Sequence, residues 1–216
     1  MSTSKILIIA PHPDDFVISC SGFVLKHGSK YDYDVLLMAS EGILPSTDVR
    51  LSEETVAISR IESVIEKGIN HIIFPQGMDT QLHTQFNDMV SYIQSLVTES
   101  IYERIFIPYH EDTHQDHLSV NQAALAACRY QRNILLYETP STLRFIPTVF
   151  SELDVTQLEN KVNISSSYKS QILGNAGIGK YELTLGDYIT SKALSNGALS
   201  RTCKYAEGYT PHRLFI

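Results

Sequence analysis

The chain has 216 residues, of which 43% are hydrophobic and 19% are charged, and its formal net charge is −7. A chain of this length and composition can bury a substantial core, so we predict a single domain over residues 1–216. The negative charge argues against a nucleic-acid partner or an anionic membrane surface. No apolar run approaches the roughly 18 residues of a membrane span.

The N-terminal segment and the cysteines favour a cytoplasmic location. The first apolar run ends at Pro11 without a small-residue cleavage pattern, so we predict no signal peptide. Cys20, Cys128 and Cys203 are an odd number of thiols without metal-ligand spacing. The first two lie in apolar, helical surroundings, which is typical of core thiols in a reducing compartment.

Short apolar runs alternate with helical patterns along the first two thirds of the chain. Residues 5–10 are rich in β-branched side chains and predict a buried strand, and residues 16–26 predict a helix. The alternation recurs with short links, which favours a doubly wound parallel sheet. The further predicted strands span residues 34–40, 71–74, 104–108 and 133–137, and the further predicted helices span residues 52–67, 85–100 and 115–129.

The pattern weakens after Pro140. Residues 148–153 predict an edge strand, and residues 168–173 predict the start of a helix. The last forty residues are rich in Gly, Ser and Tyr, which predicts irregular structure packed on the sheet. The expected fold class is therefore α/β, a three-layer sandwich in which helices cover both faces of a mainly parallel sheet of five or six strands.

A polar cluster follows the first predicted strand. His12, Asp14 and Asp15 lie in the turn before the first helix, and Pro11 and Pro13 restrict the backbone of that turn. In an open α/β sheet this is the carboxyl edge, where ligands bind. The alternative is that either aspartate only caps the helix.

A second polar cluster follows the fourth predicted strand, with His114, Asp116 and His117 at the start of the next helix. The first and fourth strands are neighbours in the doubly wound order, so both turns can face one crevice. Two imidazoles and one carboxylate form a typical ligand set for catalytic zinc, which keeps a position open for water. A remaining carboxylate could act as base, and a remaining imidazole could stabilise an oxyanion or protonate a leaving group.

These two clusters resemble the motifs of the LmbE/PIG-L family of zinc-dependent N-deacetylases. The first family motif, Ala/Pro-His-Pro-Asp-Asp-Glu, corresponds to residues 11–16, and the second, Asp-x-His-x-Asp-His, corresponds to residues 112–117. Weaker similarities at Asp79, residues 154–156, residues 168–171 and residues 205–207 follow the family order over nearly the whole chain. The resemblance implies a Rossmann-like fold.

The resemblance also implies a role for each residue of the two motifs. His12, Asp15 and His117 would be the metal ligands, and Asp14 would be the general base that activates the water on the metal. His114 would polarise the scissile carbonyl and help the amine to leave. Asp116 would orient His114.

An N-acetylated amino sugar, or a conjugate or nucleotide-sugar precursor that contains one, is the small-molecule substrate that the resemblance implies. Zinc is the expected metal, and ferrous iron is the alternative because this ligand set accepts either ion. The sequence does not indicate the oligomeric state. The candidate substrate contacts are Asp79, Tyr205, Glu207 and His212.

Two positions differ from the family pattern. Phe16 stands where the family often has Glu, so one outer contact of the site is expected to be absent. An Arg-x-x-Glu pattern usually opens the second helix, and Arg50 with Glu53 is the nearest candidate here. These differences affect the expected substrate more than the expected chemistry.

Three other functions are alternatives to a deacetylase. The segment from His110 to His114 matches the His-Glu-x-x-His pattern of zinc proteases, with Glu111 as base, but that pattern requires a helix. Residues 174–180 resemble a phosphate-binding loop but lack the Ser or Thr and the preceding strand. The third alternative is a catalytically idle relative that binds a metal and a glycan or nucleotide sugar.

Overall fold

A computed structural model describes residues 4–42, 47–173 and 184–215. Within these ranges of residues, seven strands and seven α-helices alternate along much of the chain. The strands are β1 Ser4–Ala10, β2 Tyr31–Leu37, β3 Ile69–Ile73, β4 Tyr102–Pro108, β5 Ile134–Tyr137, β6 Val149–Leu153 and β7 Tyr205–Arg213. The helices are α1 Asp15–His27, α2 Thr47–Ile65, α3 Phe86–Glu99, α4 Gln115–Ala127, α5 Val155–Ser165, α6 Lys169–Leu173 and α7 Leu185–Ser200.

The strands form one mixed sheet in the order β3-β2-β1-β4-β5-β7-β6. The first five strands of this order are parallel, and β7 runs antiparallel to both β5 and β6. The predicted α/β class, with helices on both faces, is confirmed. The predicted strand number of five or six is wrong, because β7 and β6 extend the sheet beyond β5 and give it seven strands.

Two hydrophobic layers lie on opposite faces of the sheet. Alternate residues of β1 point to opposite faces, so Ile6 and Ile8 join one layer while Leu7 and Ile9 join the other. The first layer packs under α1 and α2, and the second packs under α3 and α4. Because β1 is buried on both sides, its sequence is apolar at almost every position.

The first five predicted strands are all present, with ends shifted by a few residues, and the predicted edge strand corresponds to β6. The prediction of irregular structure for the last forty residues is wrong, because α7 and β7 occupy most of the described part of this segment. Helix α5 was not predicted; it begins at a capping box formed by Asp154 and Gln157.

The carboxyl ends of β1 and β4 lie side by side, since the two strands pair directly from Lys5 and Tyr102 to Ile8 and Phe106. The turns that follow them therefore meet at one edge of the sheet. The loop after β3 reaches the same edge because Gly77 passes very close to Met38, where a Cβ would lie 1.7 Å from the Met38 carbonyl oxygen.

Within these described residues, no helix combines the length and the apolar character that a transmembrane segment needs.

Candidate metal centre

The turn between β1 and α1 carries the first polar cluster. Asp15 is the first residue of α1, and its Oδ2 accepts a hydrogen bond from the His12 backbone N–H at 2.9 Å. Asp14 has a φ of 98°, which is strained for a residue with a side chain and costs of order 1–3 kcal/mol. Its carboxylate makes no capping hydrogen bond to α1. Helix capping by the Asp14 side chain therefore does not explain the strained backbone conformation of this residue.

The turn between β4 and α4 carries the second cluster. His114 is the N-cap of α4, and Asp116 and His117 lie in the first turn of this helix. Asp112 stabilises the turn because its Oδ1 accepts a hydrogen bond from the His114 backbone N–H at 2.7 Å. The segment from His110 to His114 is not helical, so the two histidines of the protease-like pattern do not share a helix face.

Three side-chain atoms from these turns form a nearly equilateral triangle. The distance from His12 Nδ1 to His117 Nε2 is 3.2 Å. Asp15 Oδ2 lies 3.5 Å from His12 Nδ1 and 3.3 Å from His117 Nε2. In a tetrahedral zinc site with bonds of about 2.0–2.2 Å, neighbouring ligand atoms lie about 3.3–3.5 Å apart. The donor set and its spacing therefore fit one small divalent cation.

The outer nitrogen of each imidazole in the triangle faces carboxylates. His117 Nδ1 lies 3.0 Å from Asp112 Oδ2, and His12 Nε2 lies 3.1 Å from Asp116 Oδ2 and 3.2 Å from Asp79 Oδ1. Carboxylates accept but do not donate hydrogen bonds, so the outer nitrogens carry the protons. The inner nitrogens are then free to act as ligands, which is the usual arrangement around protein-bound zinc.

Asp116 contacts a different imidazole from the one that the sequence predicted. Its carboxylate bonds to His12 Nε2 and accepts the backbone N–H groups of Thr80 at 2.6 Å and Leu82 at 3.2 Å. Only its backbone N–H contacts His114, at Nδ1. The resemblance implied that Asp116 orients His114; in the structure the backbone N–H of Asp116 contacts His114, and the carboxylate contacts His12.

Hydroxyl groups from the loop after β5 surround the outer side of His117. Thr139 Oγ1 and Thr142 Oγ1 donate to Asp112 Oδ2 at 2.9 and 3.0 Å, and Ser141 Oγ lies 3.3 Å from His117 Nδ1. These bonds leave the Asp112 carboxylate little freedom to rotate. They add a further layer of hydrogen bonds around the residues that contact the triangle.

The carboxylates in and around the triangle create an electrostatic environment that favours positive charge on its two imidazoles. Burial lowers the pKa of His12, but the hydrogen bonds to Asp116, Asp15 and Asp79 raise it well above its usual value. Burial opposes protonation of His117 as well, yet the Asp15 charge and the Asp112 hydrogen bond raise its pKa to about 9. Burial raises the pKa of Asp15, but the charge and hydrogen bonds of His117 and His12 bring it well below normal.

Asp14 lies beside this cluster, and the pKa of its carboxyl group is close to neutral pH. Burial and the adjacent Asp15 charge raise the pKa of Asp14 to about 7. The nearest cation is Arg50, whose Nη2 lies 3.7 Å from Asp14 Oδ1. A carboxyl group with this pKa can both accept and release a proton at physiological pH.

His114 stands over the triangle with its ring centroid 4.6 Å from that of His12 and 4.8 Å from that of His117. Its Nδ1 accepts the Asp116 backbone N–H at 3.3 Å, so in the neutral ring Nε2 carries the proton. Burial and the neighbouring His12 and His117 charges lower the pKa of His114. The site therefore presents a neutral imidazole N–H donor.

Two wider groups of possible metal ligands overlap the triangle. The ligand atoms of His12, His114 and His117 lie within 4.8 Å of one another, as do those of His12, Asp79, His114 and Asp116. In the triangle of His12, Asp15 and His117, every edge is 3.5 Å or less, which is close to the spacing of tetrahedral zinc ligands. The triangle of His12, Asp15 and His117 fits a single cation without rearrangement.

Of the four candidate substrate contacts, only Asp79 lies at the site, where it contacts His12 and Arg50. Glu207 is buried elsewhere, with its carboxylate bound to Lys161, the Tyr209 hydroxyl and two backbone N–H groups of α1. Tyr205 packs between α5 and α7. His212 falls in the bulge of β7 opposite the start of β5, at the other end of that strand from the site.

The structure also identifies neighbours of the site that the sequence did not single out. Glu54 on α2 is fully buried beside Asp14, whereas Glu53, the predicted partner of Arg50, binds Ser170. The spacing of four residues between Arg50 and Glu54 could have indicated a shared helix face. Phe16 is fully buried in the core, which accounts for an apolar residue at that position.

Comparisons with known proteins agree with the motifs. Residues 7–128 match the family described as PIG-L: GlcNAc-PI de-N-acetylase. The chain is also 31% identical over 171 residues to Uncharacterized deacetylase YaiS of Escherichia coli (strain K12), covering 76% of this chain and 90% of that protein. The chain belongs to the PIG-L/LmbE family of deacetylases.

Solved structures share the fold of this PIG-L/LmbE protein at low sequence identity. N,N'-diacetylchitobiose deacetylase from Pyrococcus horikoshii is 18% identical with a TM-score of 0.71, over 96% of this chain and 83% of that one. The 4-carboxy-2-hydroxymuconate hydratase from Pseudomonas putida KT2440 is 16% identical with a TM-score of 0.71, over 99% and 98%. Because a deacetylase and a hydratase both have this fold, substrate and reaction must be argued from the site.

Proposed function

We propose that this PIG-L/LmbE protein is a metal-dependent hydrolase that removes the acetyl group from an N-acetylated amino sugar or its conjugate. The observation that carries the proposal is the triangle of His12 Nδ1, Asp15 Oδ2 and His117 Nε2, with edges of 3.2–3.5 Å. Two imidazoles and a carboxylate suit zinc and also suit ferrous iron. When bound there, the metal supplies Lewis acidity toward a water and a carbonyl oxygen.

Asp14 is the proposed general base. Its pKa of about 7 matches the operating pH, which is the condition under which a carboxyl group is most effective in proton transfer. It takes one proton from the attacking water as the new C–O bond forms at the acetyl carbon. The protonated Asp14 carboxyl then returns this proton to the leaving nitrogen as the C–N bond breaks, and the products are acetate and a free amine.

His114 is the proposed donor to the carbonyl oxygen. Its neutral ring keeps a proton on Nε2, and a hydrogen bond to an oxygen that gains charge stabilises the transition state more than the substrate. The same imidazole is positioned to assist the departure of the amine. Asp79 and Arg50 are joined at 3.2 Å beside His12, and we assign them to the polar rim that meets the sugar hydroxyls.

The experiment that tests this proposal is a substrate screen with the zinc-loaded and iron-loaded protein. Acetate release is measured from N-acetylhexosamines, their glycosides and nucleotide-linked forms, with O-acetylated sugars and N-acetylated peptides as matched controls. We expect release from at least one N-acetylated sugar and none from the peptides. Sugar binding without acetate release would support the idle relative, and turnover of 4-carboxy-2-hydroxymuconate would support a hydratase.

A further inference from the structure

Glu54 is a buried carboxyl group that the proposed reaction does not use. It lies on α2 with no solvent exposure, and it contacts the turn that carries Asp14. We infer that Glu54, held by Tyr168, is a positioning residue that keeps Asp14 in its strained backbone conformation and so aims the Asp14 carboxylate. This inference rests on the proposed role of Asp14 as base.

The peptide group between Pro13 and Asp14 is held at both of its polar atoms by one helix face. Arg50 Nη2 donates to the Pro13 carbonyl oxygen at 3.3 Å, and Glu54 Oε2 accepts the Asp14 N–H at 3.2 Å. Arg50 and Glu54 are four residues apart on α2, so their side chains share a face. Fixing this peptide plane constrains the rotation about the N–Cα bond of Asp14, whose φ is 98°.

Tyr168 holds the Glu54 side chain in place, and we call Arg50, Glu54 and Tyr168 together the clamp on the Pro13–Asp14 peptide group. Its hydroxyl donates a hydrogen bond to Glu54 Oε2, and its side chain is almost fully buried. The neighbouring Ser170 bonds to Glu53 through its backbone N–H at 2.8 Å and its Oγ at 2.6 Å, which fastens the same segment to α2. The oxygen that receives the Asp14 N–H therefore has little freedom to move.

The clamp needs a hydrogen-bond acceptor and not a negative charge. Both hydrogen bonds converge on Oε2, whereas Oε1 is buried without a partner among the described residues. Burial raises the pKa of Glu54 to about 7, so ionisation is disfavoured at this position. A glutamine can place its carbonyl oxygen at Oε2 and its amide nitrogen at Oε1, and both hydrogen bonds are then kept.

The test compares Glu54→Gln and Glu54→Ala with the matched control Thr55→Ala, which changes an exposed neighbour on α2 whose hydroxyl donates only to the Leu51 carbonyl oxygen. Crystal structures give the φ of Asp14, and metal analysis and steady-state kinetics give metal content, kcat and KM. We expect Glu54→Ala to relax Asp14 to negative φ and to lower kcat by about 10²-fold, with KM and metal content unchanged. Glu54→Gln and Thr55→Ala should keep the strained φ and should keep kcat within a few-fold of the wild-type value.

Two results would overturn the inference. One is Glu54→Ala with Asp14 still near its original φ and with full kcat; the other is Glu54→Gln as impaired as Glu54→Ala. If Glu54→Ala does not fold, Tyr168→Phe takes its place in the test, because this variant removes the hydroxyl that anchors Glu54. We then expect a smaller loss of kcat, again at constant KM. If the wild type releases no acetate, the proposed function fails, but the φ of Asp14 in the variant structures still decides whether Glu54 positions it.

Discussion

His12 Nδ1 and His117 Nε2 face each other at 3.2 Å although 105 positions separate the two residues in the chain. The outer nitrogens of both rings face carboxylates and hold their protons there, so both inner nitrogens present lone pairs. A divalent cation bound between the two rings would displace any proton from the inner nitrogens and would use both lone pairs. The contact is therefore most readily understood as half of a metal site, completed by Asp15.

Replacing Asp14 separates the deacetylase proposal from the protease-like alternative. We expect Asp14→Asn to retain its metal and to lose about 10²–10⁴-fold in kcat, because the amide cannot accept the proton. Glu111→Gln is the matched control, since Glu111 would be the base only if the His-Glu-x-x-His pattern were functional. Steady-state rates and metal content check both variants; an active Asp14→Asn or an inactive Glu111→Gln would contradict the assignment.

Replacing His114 tests whether this imidazole stabilises the oxyanion or binds the metal. Because its N–H is assigned to the carbonyl oxygen, His114→Ala should lose about 10²–10³-fold in kcat while its metal content stays at the wild-type level. A metal-free His114→Ala would instead favour the wider ligand group of His12, His114 and His117.

Asp112 is predicted to tune the affinity of the site without binding the metal. Asp112→Asn weakens the acceptor for the His117 Nδ1 proton, so the affinity for zinc should fall about 10–100-fold. Competition with a chromophoric chelator measures this affinity. Asp88→Asn, on the exposed side of α3, is the control that should bind zinc normally. Equal affinities in the two variants would show that Asp112 does not act through His117.

Glu207 is predicted to matter for stability and not for substrate binding. Glu207→Gln leaves the Lys161 ammonium buried without its partner, so the free energy of unfolding should fall by about 3–5 kcal/mol. Urea denaturation measures the loss, with Glu152→Gln on the exposed side of β6 as the control. A Glu207→Gln variant of normal stability and raised KM would restore the substrate contact that the sequence predicted.

The parallel half of the fold could be predicted because its signals are local. Each of the first five strands is a short apolar run, and the helices that follow the first four strands have their own patterns. The C-terminal segment lacks such signals. Helix α7 contains Gly197, which a helical pattern disfavours, but a Cβ there would lie 2.1 Å from the Lys204 carbonyl oxygen. The glycine serves the tight turn into β7, a tertiary requirement that the sequence does not reveal.

At the site, the sequence could identify the residues but not all of their partners. The family resemblance implied that Asp116, two residues after His114, orients that imidazole. On a helix, residues two apart do not face each other, and the Asp116 carboxylate points to His12 instead. Glu53 and Glu54 could not be distinguished by composition, because only the orientation of α2 decides which of them is buried.

Metal content of single variants tests the central claim most directly. The wild-type protein, His12→Ala, Asp15→Ala, His117→Ala and the control His110→Ala, which changes a half-exposed histidine outside the triangle, are loaded with zinc, desalted and analysed by mass spectrometry. We predict about one zinc per chain in the wild type and in His110→Ala, and almost none in the three triangle variants. Full zinc occupancy in both His12→Ala and His117→Ala would contradict the account.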